Sequence, residues 1–357
     1  MADLLIPSVL FLLEIGAYIV SIFLAAKQYR KTRYLPYLIL ILGFLLVIIS
    51  SIFRFSLIFT KDPVYALNGY RFLNAFLLPG IIAWVIGFIF FRFDRLPFHA
   101  VLIAFLGGFT TAAFVFSKDI KVYYDEGFGN WNAAYPMYFF LFIGPLIIIS
   151  LFEIVNPLIR KAKLINTSEE RRVLYIMAIG LGLILFWGIL AIFTFIPFIR
   201  YVRPFLLPFG WLIWALGASK YPLLLSFSSS RPLSLLITYD ETSTTIFNYV
   251  FEKNSEIEYN QELAGMLLSA LSTATAEILG EESDRKIYQL ENKIVIQQKV
   301  PSMKLSIYLL ATGYDRSILA ALTYFSYLVS KRTHIPQYEN VDFTSEVKLA
   351  FSSISVI

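Results

Sequence analysis

Apolar residues fill the first two thirds of this chain in long stretches broken by short charged groups, and beyond Pro232 the pattern changes to short alternating and helically spaced runs. A helix needs roughly 20 apolar residues to cross a bilayer. Seven stretches answer that description, over residues 4–26, 35–59, 72–91, 97–116, 135–158, 173–198 and 204–219. The first is too long for a signal peptide, contains Glu14 and follows no basic region, so it reads as a span.

After Pro232 the pattern predicts strands over 233–239 and 245–252 joined around Asp240-Glu241-Thr242-Ser243. Leu263, Met266, Leu267, Ala270, Leu271, Ala274 and Ile278 then recur at helical spacing and end at Gly280. Strands are expected over 286–290, 294–300 and 304–312, with a turn at Glu291-Asn292. Asp315 is placed to cap a second helix carrying Ile318, Leu319, Leu322, Phe325 and Val329, and residues 343–354 predict a short third one. The predicted fold is an all-α seven-helix membrane bundle followed by a small α/β domain, ββαβββαα, with an antiparallel sheet and helices on one face. The domain limits are 1–222 for the bundle, 223–232 for a Ser-rich linker and 233–357 for the sheet domain.

Composition agrees with the pattern: 58% of residues are hydrophobic and 15% charged, against about 25% charged in a soluble domain. Charge is unevenly divided. Residues 1–232 hold 20 Lys and Arg against 10 Asp and Glu, net +10, and residues 233–357 hold 10 against 15, net −5. Lys and Arg favour one set of loops by 13 to 6, which predicts an external N-terminus and a cytoplasmic C-terminal domain in the cell membrane. On that topology Asn166-Thr167-Ser168 is internal, Thr167 and Glu170 form a helix-starting capping box, and Arg160, Lys161 and Lys163 form an exposed basic inner loop. The acidic C-terminal part speaks against nucleic acid as a partner.

No Walker loop, dinucleotide-binding glycine motif, HExxH or GxSxG occurs, and there is no cysteine. The expectation is a non-enzymatic protein without cofactor or metal. Ionisable residues inside apolar spans are costly and mark candidate sites. Glu14 and Arg54 lie at depths that allow them to pair. With Arg71, Asn74, Trp187 and Trp211 they form the candidate lining of an outer ligand cavity. Glu153 is expected to reach towards Arg160, and His99 and His334 have no ligand-like company. Gly180 and Gly182 lie where small residues let helices approach. The loop 117–134, with Tyr123, Tyr124 and Trp131, reads as an interfacial aromatic belt or as a lid.

The basic YRKTR turn, the YRFLNAFLLPGIIAWVIGF and EERRVLYIMAIGLGLIL segments and the closing LIWALGASKYPLLL resemble the seven-helix sensor region of prokaryotic histidine kinases. The chain departs from that family in having no phospho-accepting histidine helix and no ATP-binding glycine boxes. LSLLITYDETSTTIFNYVFE, ELAGMLLSALSTATAEILG, KIYQLENKIVIQQKV and LSIYLLATGYD resemble the longin and roadblock domains, and the two opening strands favour longin. Fusions of this kind are similar to archaeal, Asgard-type proteins. The resemblance implies a receptor for a small ligand, passing its state to a domain that docks a cytoplasmic protein such as a small GTPase. The alternatives are a trafficking or scaffold protein whose helices only anchor that domain, and a transporter. Homodimerisation is left open.

Overall fold

The computed structural model describes residues 2–93, 97–125, 130–136, 168–190, 197–224, 226–228, 230–251, 284–290, 293–332, 341–351 and 355–356. It also describes scattered residues between 144 and 165, and Leu268 and Ala270. The predicted fifth span, the helix ending at Gly280, Thr167 of the capping box and His334 lie largely or wholly outside the described residues. The chain divides into two units, Met1–Arg30 with Tyr34–Leu225, and Lys31–Arg33 with Ser226–Ile357.

The first unit is helical. α1 (Ala2–Thr32) ends in a turn where Arg33 takes φ 53°, and α2 (Leu35–Ser56) starts with a proline in its first turn, where the missing N–H costs nothing. α3 (Pro63–Phe90) begins nine residues before the apolar stretch that predicted it. Asp62 caps it, accepting from the Val64 N–H at 2.9 Å, and Pro63 follows in the first turn. α4 (Phe98–Phe116), α5 (Ser168–Leu190) and α6 (Pro197–Lys220) complete the described helices. Among the described residues four helical stretches are long and apolar enough to cross a membrane: Ser8–Thr32, Leu35–Phe59, Pro63–Phe90 and Phe98–Phe116. Their outward faces carry Leu12, Phe23, Leu42, Ile52, Phe72 and Phe105, all exposed and suited to lipid contact.

Glycines set the helix crossings. At the α2–α3 crossing, a Cβ on Gly43 would collide with the Trp84 ring and lie 2.9 Å from the Gly80 carbonyl. On α5 and α6 the fit is reciprocal, because a Cβ on either Gly180 or Gly210 would meet the other's carbonyl at 2.6 Å. No described residue lies within 4 Å of a Cβ on Gly182, so among the described residues Gly180, and not Gly182, makes a crossing.

The loop expected to be a belt or a lid folds as an antiparallel hairpin, β1 (Lys121–Asp125) and β2 (Asn130–Ala134). Trp131 is buried against Leu57 and Ala66, its indole N–H donates to the Thr60 carbonyl at 2.8 Å, and the Tyr70 hydroxyl donates to the Trp131 carbonyl. It anchors the hairpin to the α2–α3 connection.

In the second unit β3 (Phe227–Ser228) pairs with β9 (Ser355–Val356). β4 (Pro232–Tyr239), β5 (Thr245–Val250), β6 (Arg285–Leu290), β7 (Lys293–Val300) and β8 (Leu305–Ala311) form one antiparallel sheet in the order β5-β4-β8-β7-β6. α7 (Arg316–Val329) is capped by Asp315, whose carboxylate accepts from the Ile318 N–H at 2.8 Å, and α8 (Thr344–Phe351) follows.

The expectation of helices on one face is corrected here. Leu233 to Thr238 are buried without alternation, which requires both faces to be covered. On one face Phe247 and Phe251 meet Phe343 and Phe351, and on the other Leu236, Val295 and Tyr308 pack with Leu268, a helical residue.

The predicted linker 223–232 is also different in kind from a loose tether. Ser226, Ser228 and Ser230 are buried, and both the Ser228 hydroxyl and the Ser230 N–H donate to the Asp315 carboxylate. The serines therefore tie the start of the second unit to the cap of α7.

Candidate functional site

The strongest concentration of buried polarity in the first unit lies where α1 meets α2. Glu14 is 4% exposed on an otherwise apolar turn of α1. Its carboxylate accepts from the Ser51 hydroxyl at 2.8 Å and from the Arg54 guanidinium, so each carboxylate oxygen is bonded. The Arg54 side chain is 38% exposed and Glu14's is 5%, so the carboxylate is the more deeply held partner. Helical spacing explains the grouping, because Ser51 and Arg54 sit three apart on one face of α2.

One turn further along α1, the Tyr18 ring meets Phe44 and Trp84, opening an aromatic core that continues to Trp211, Phe88 and Trp214. Trp84 and Trp211 approach to 4.3 Å between ring centres. The Tyr18 hydroxyl and the indole N–H groups of Trp84, Trp211 and Trp214 are all buried, and none has a hydrogen-bond partner among the described residues.

At the other end of α1 and α2 lies a second polar junction. Gln28 of α1 donates to the Ser219 carbonyl at 2.9 Å, and the Tyr37 hydroxyl of α2 donates to the Pro222 carbonyl. Both bonds satisfy carbonyls at the C-terminal end of α6, which has no further helical turn to accept from.

Of the six predicted site residues, Glu14 and Arg54 form one pair and Trp211 lies in the aromatic core. Arg71 and Asn74 make other bonds: Arg71 donates to the Ser117 carbonyl at 3.0 Å, and Asn74 donates to the Tyr70 carbonyl at 2.8 Å and the Tyr135 hydroxyl at 3.0 Å. Trp187 is partly buried on α5. Ser51, Tyr18, Trp84 and Trp214 were missed, although Tyr18 follows Glu14 by one helical turn and Ser51 precedes Arg54 by one.

Two charged residues have surroundings that the sequence reading did not include, and Arg160, the expected neighbour of Glu153, lies outside the described residues. Glu153 lies 3.5 Å from Arg92 and 3.6 Å from His99, so its carboxylate is held by a cation at the start of the α3–α4 connection, and His99 has an acidic neighbour. Lys161, expected on an exposed basic loop, is 0% exposed. Burial pushes its ammonium down to about 7, and the nearby Glu170 charge pulls it partly back. Between about 7 and the ordinary value of 10.5 the unfolded chain holds a proton that the folded chain does not. Stability therefore rises with pH across that window. The apparent melting midpoint in nanodiscs should climb between pH 7 and 10, and Lys161→Met should flatten the climb.

Among the described residues no group of three or more His, Asp or Glu side chains could hold a metal ion. Compared with protein-family models, curated proteins and solved structures, the chain matches none.

Proposed function

We propose that this chain is a multi-pass membrane receptor, N-terminus outside, in which a ligand at the Glu14–Arg54 end of the helices alters the cytoplasmic sheet unit, a longin-like domain that docks another protein. One observation carries the reading. α1 and α2 each contribute one residue to the outer pair, Glu14 and Arg54, and one to the bonds holding the end of α6, Gln28 and Tyr37. A shift between α1 and α2 at the first junction is thereby transmitted to the second, and the chain enters the sheet unit at Ser226, just after Pro222. The buried serines and their bonds to Asp315 support the same reading, because a tied entry passes on displacement where a slack tether would absorb it. The net charge of −5 beyond Pro232 favours a docking partner with a basic surface.

Hydrogen–deuterium exchange of the full-length protein in lipid nanodiscs tests the coupling without a known ligand. Arg54→Gln, which disturbs only the outer pair, should change protection in β3 and β4. Unchanged exchange in residues 226–239, with altered exchange in α1 and α2, would leave the helices as an anchor only.

A further inference from the structure

From Glu14 onward the buried face of α1 is mostly polar. Among its described side chains the buried ones are Glu14, Tyr18, Ser21, Ala25, Gln28 and Thr32, spaced four, three, four, three and four apart, and of these only Ala25 carries no polar group. The opposite face, with Leu12, Leu13, Ile19, Val20 and Phe23, is exposed and apolar. At 1.5 Å per residue the polar line from Glu14 to Gln28, all within the first unit, is roughly 21 Å long, most of the roughly 30 Å of a hydrocarbon core. A helix that needed only to span would place apolar residues on both faces, since polar atoms at depth must each find a partner.

Some of these groups are matched inside the protein: Glu14 by Ser51 and Arg54, Ser21 by the Ala17 carbonyl at 2.9 Å, and Gln28 by the Ser219 carbonyl. Tyr18 on the line and Trp84, Trp211 and Trp214 beyond it are four donors buried to within 3% and unmatched by any described residue. Leaving a buried donor unmade costs about 1–3 kcal/mol each. Four in one core point to a small acceptor held there, and buried water is the usual one. A water held there would accept from the indole N–H groups and donate to the hydroxyl oxygens of Tyr18 and Ser21.

We propose that α1 lines a column of internal water through the N-terminal unit, and that protons pass along it. Each step moves a proton from one oxygen to the next, breaking one O–H bond and making another, so one proton enters at one end for each that leaves at the other. The hydroxyls and the Glu14 carboxylate belong to this relay. The indoles only donate, so they orient the water without carrying the proton. The proposal stands apart from the receptor reading, because conduction requires no ligand and no response in the sheet unit.

Two measurements on the full-length protein test it. Radiolytic hydroxyl-radical footprinting in nanodiscs oxidises side chains that adjoin bound water. Corrected for intrinsic reactivity, Tyr18, Trp84 and Trp214 should be oxidised faster than Phe325 and Phe343, which are equally buried in the sheet unit. In vesicles loaded with a pH-sensitive dye, a potassium diffusion potential should drive protons in faster than in protein-free vesicles. Tyr18→Phe, which removes one oxygen at nearly constant volume, should reduce that flux, and Ser21→Leu should abolish it, while Val20→Leu on the exposed face leaves it intact. Oxidation no faster than at Phe325 would overturn the water column. Oxidation without flux above protein-free vesicles would overturn conduction, and unchanged flux in both Tyr18→Phe and Ser21→Leu would overturn the path along α1.

Discussion

Gly210→Ala forces α5 and α6 apart and lowers the apparent melting midpoint sharply. The added Cβ would lie 2.6 Å from the Gly180 carbonyl, 2.8 Å from Ile184 Cγ1 and 3.1 Å from the Ile184 nitrogen. Two of those three atoms are backbone, so no rotamer change relieves the contact and one helix must move. Gly180→Ala meets the same obstacle from the other side, with the Gly210 carbonyl at 2.6 Å and the Trp214 nitrogen at 2.8 Å. Overpacking usually costs about 1–3 kcal/mol, and a backbone-to-backbone obstruction belongs at or above the upper end. Gly182→Ala provides the control: no described residue stands within 4 Å of its Cβ, and exchanging glycine for alanine in a helix favours the helix by up to about 1 kcal/mol. Thermal unfolding of the three variants in one detergent should give two large losses and one neutral or slightly positive change. Equal losses at all three positions would mean that helix propensity, and not the crossing, governs these glycines.

The described strands and the two described helices of the sheet unit were legible to within a few residues because their signals are local. Asp240 to Ser243 announces a turn, Pro301 ends a strand, and Asp315 caps a helix, each by chemistry confined to a few neighbouring positions. The second covered face was less legible. Its evidence was present as the three consecutive apolar residues Leu235, Leu236 and Ile237 in β4, which alternation-based reading treats as one strand with one buried side. In the helical unit the first four stretches were clear from hydropathy, whereas the inward face of α1 was hidden by the same hydropathy. Averaged over a span, Tyr18, Ser21 and Gln28 are minor interruptions, and only their common spacing marks them as one face. Trp131 illustrates a different limit. Aromatic residues near a span end suggest an interface, but its burial depends on Thr60 and Tyr70, distant in sequence, and no local rule brings these together. Lys161 failed for the same reason, since a basic residue after a span is normally solvated and its burial is a tertiary fact.

The Glu14–Arg54 pair makes the sharpest energetic prediction, and its two single variants should not be equivalent. Arg54→Gln leaves the Glu14 carboxylate, 5% exposed, with the Ser51 hydroxyl as a remaining partner. A carboxylate so placed must be held charged in a poor environment or take up a proton, and either course is costly. Removing one member of a buried pair typically costs about 3–5 kcal/mol. Glu14→Gln leaves a guanidinium that is already 38% exposed, on a long stem able to carry its charge towards solvent, and a neutral amide that still accepts from Ser51. Its loss should be markedly smaller. Partial exposure of Arg54 also means that screening already weakens the pair from one side, so even Arg54→Gln belongs at the lower end of the range. The double variant Glu14→Gln, Arg54→Gln places two neutral amides where opposite charges stood, and it should lie closer to the wild type than the two single losses combined. Melting midpoints of the four proteins in one lipid nanodisc composition complete the cycle. A double variant whose loss equals the sum of the singles would show that the two residues act independently, and equal single losses would show that the guanidinium is held as firmly as the carboxylate.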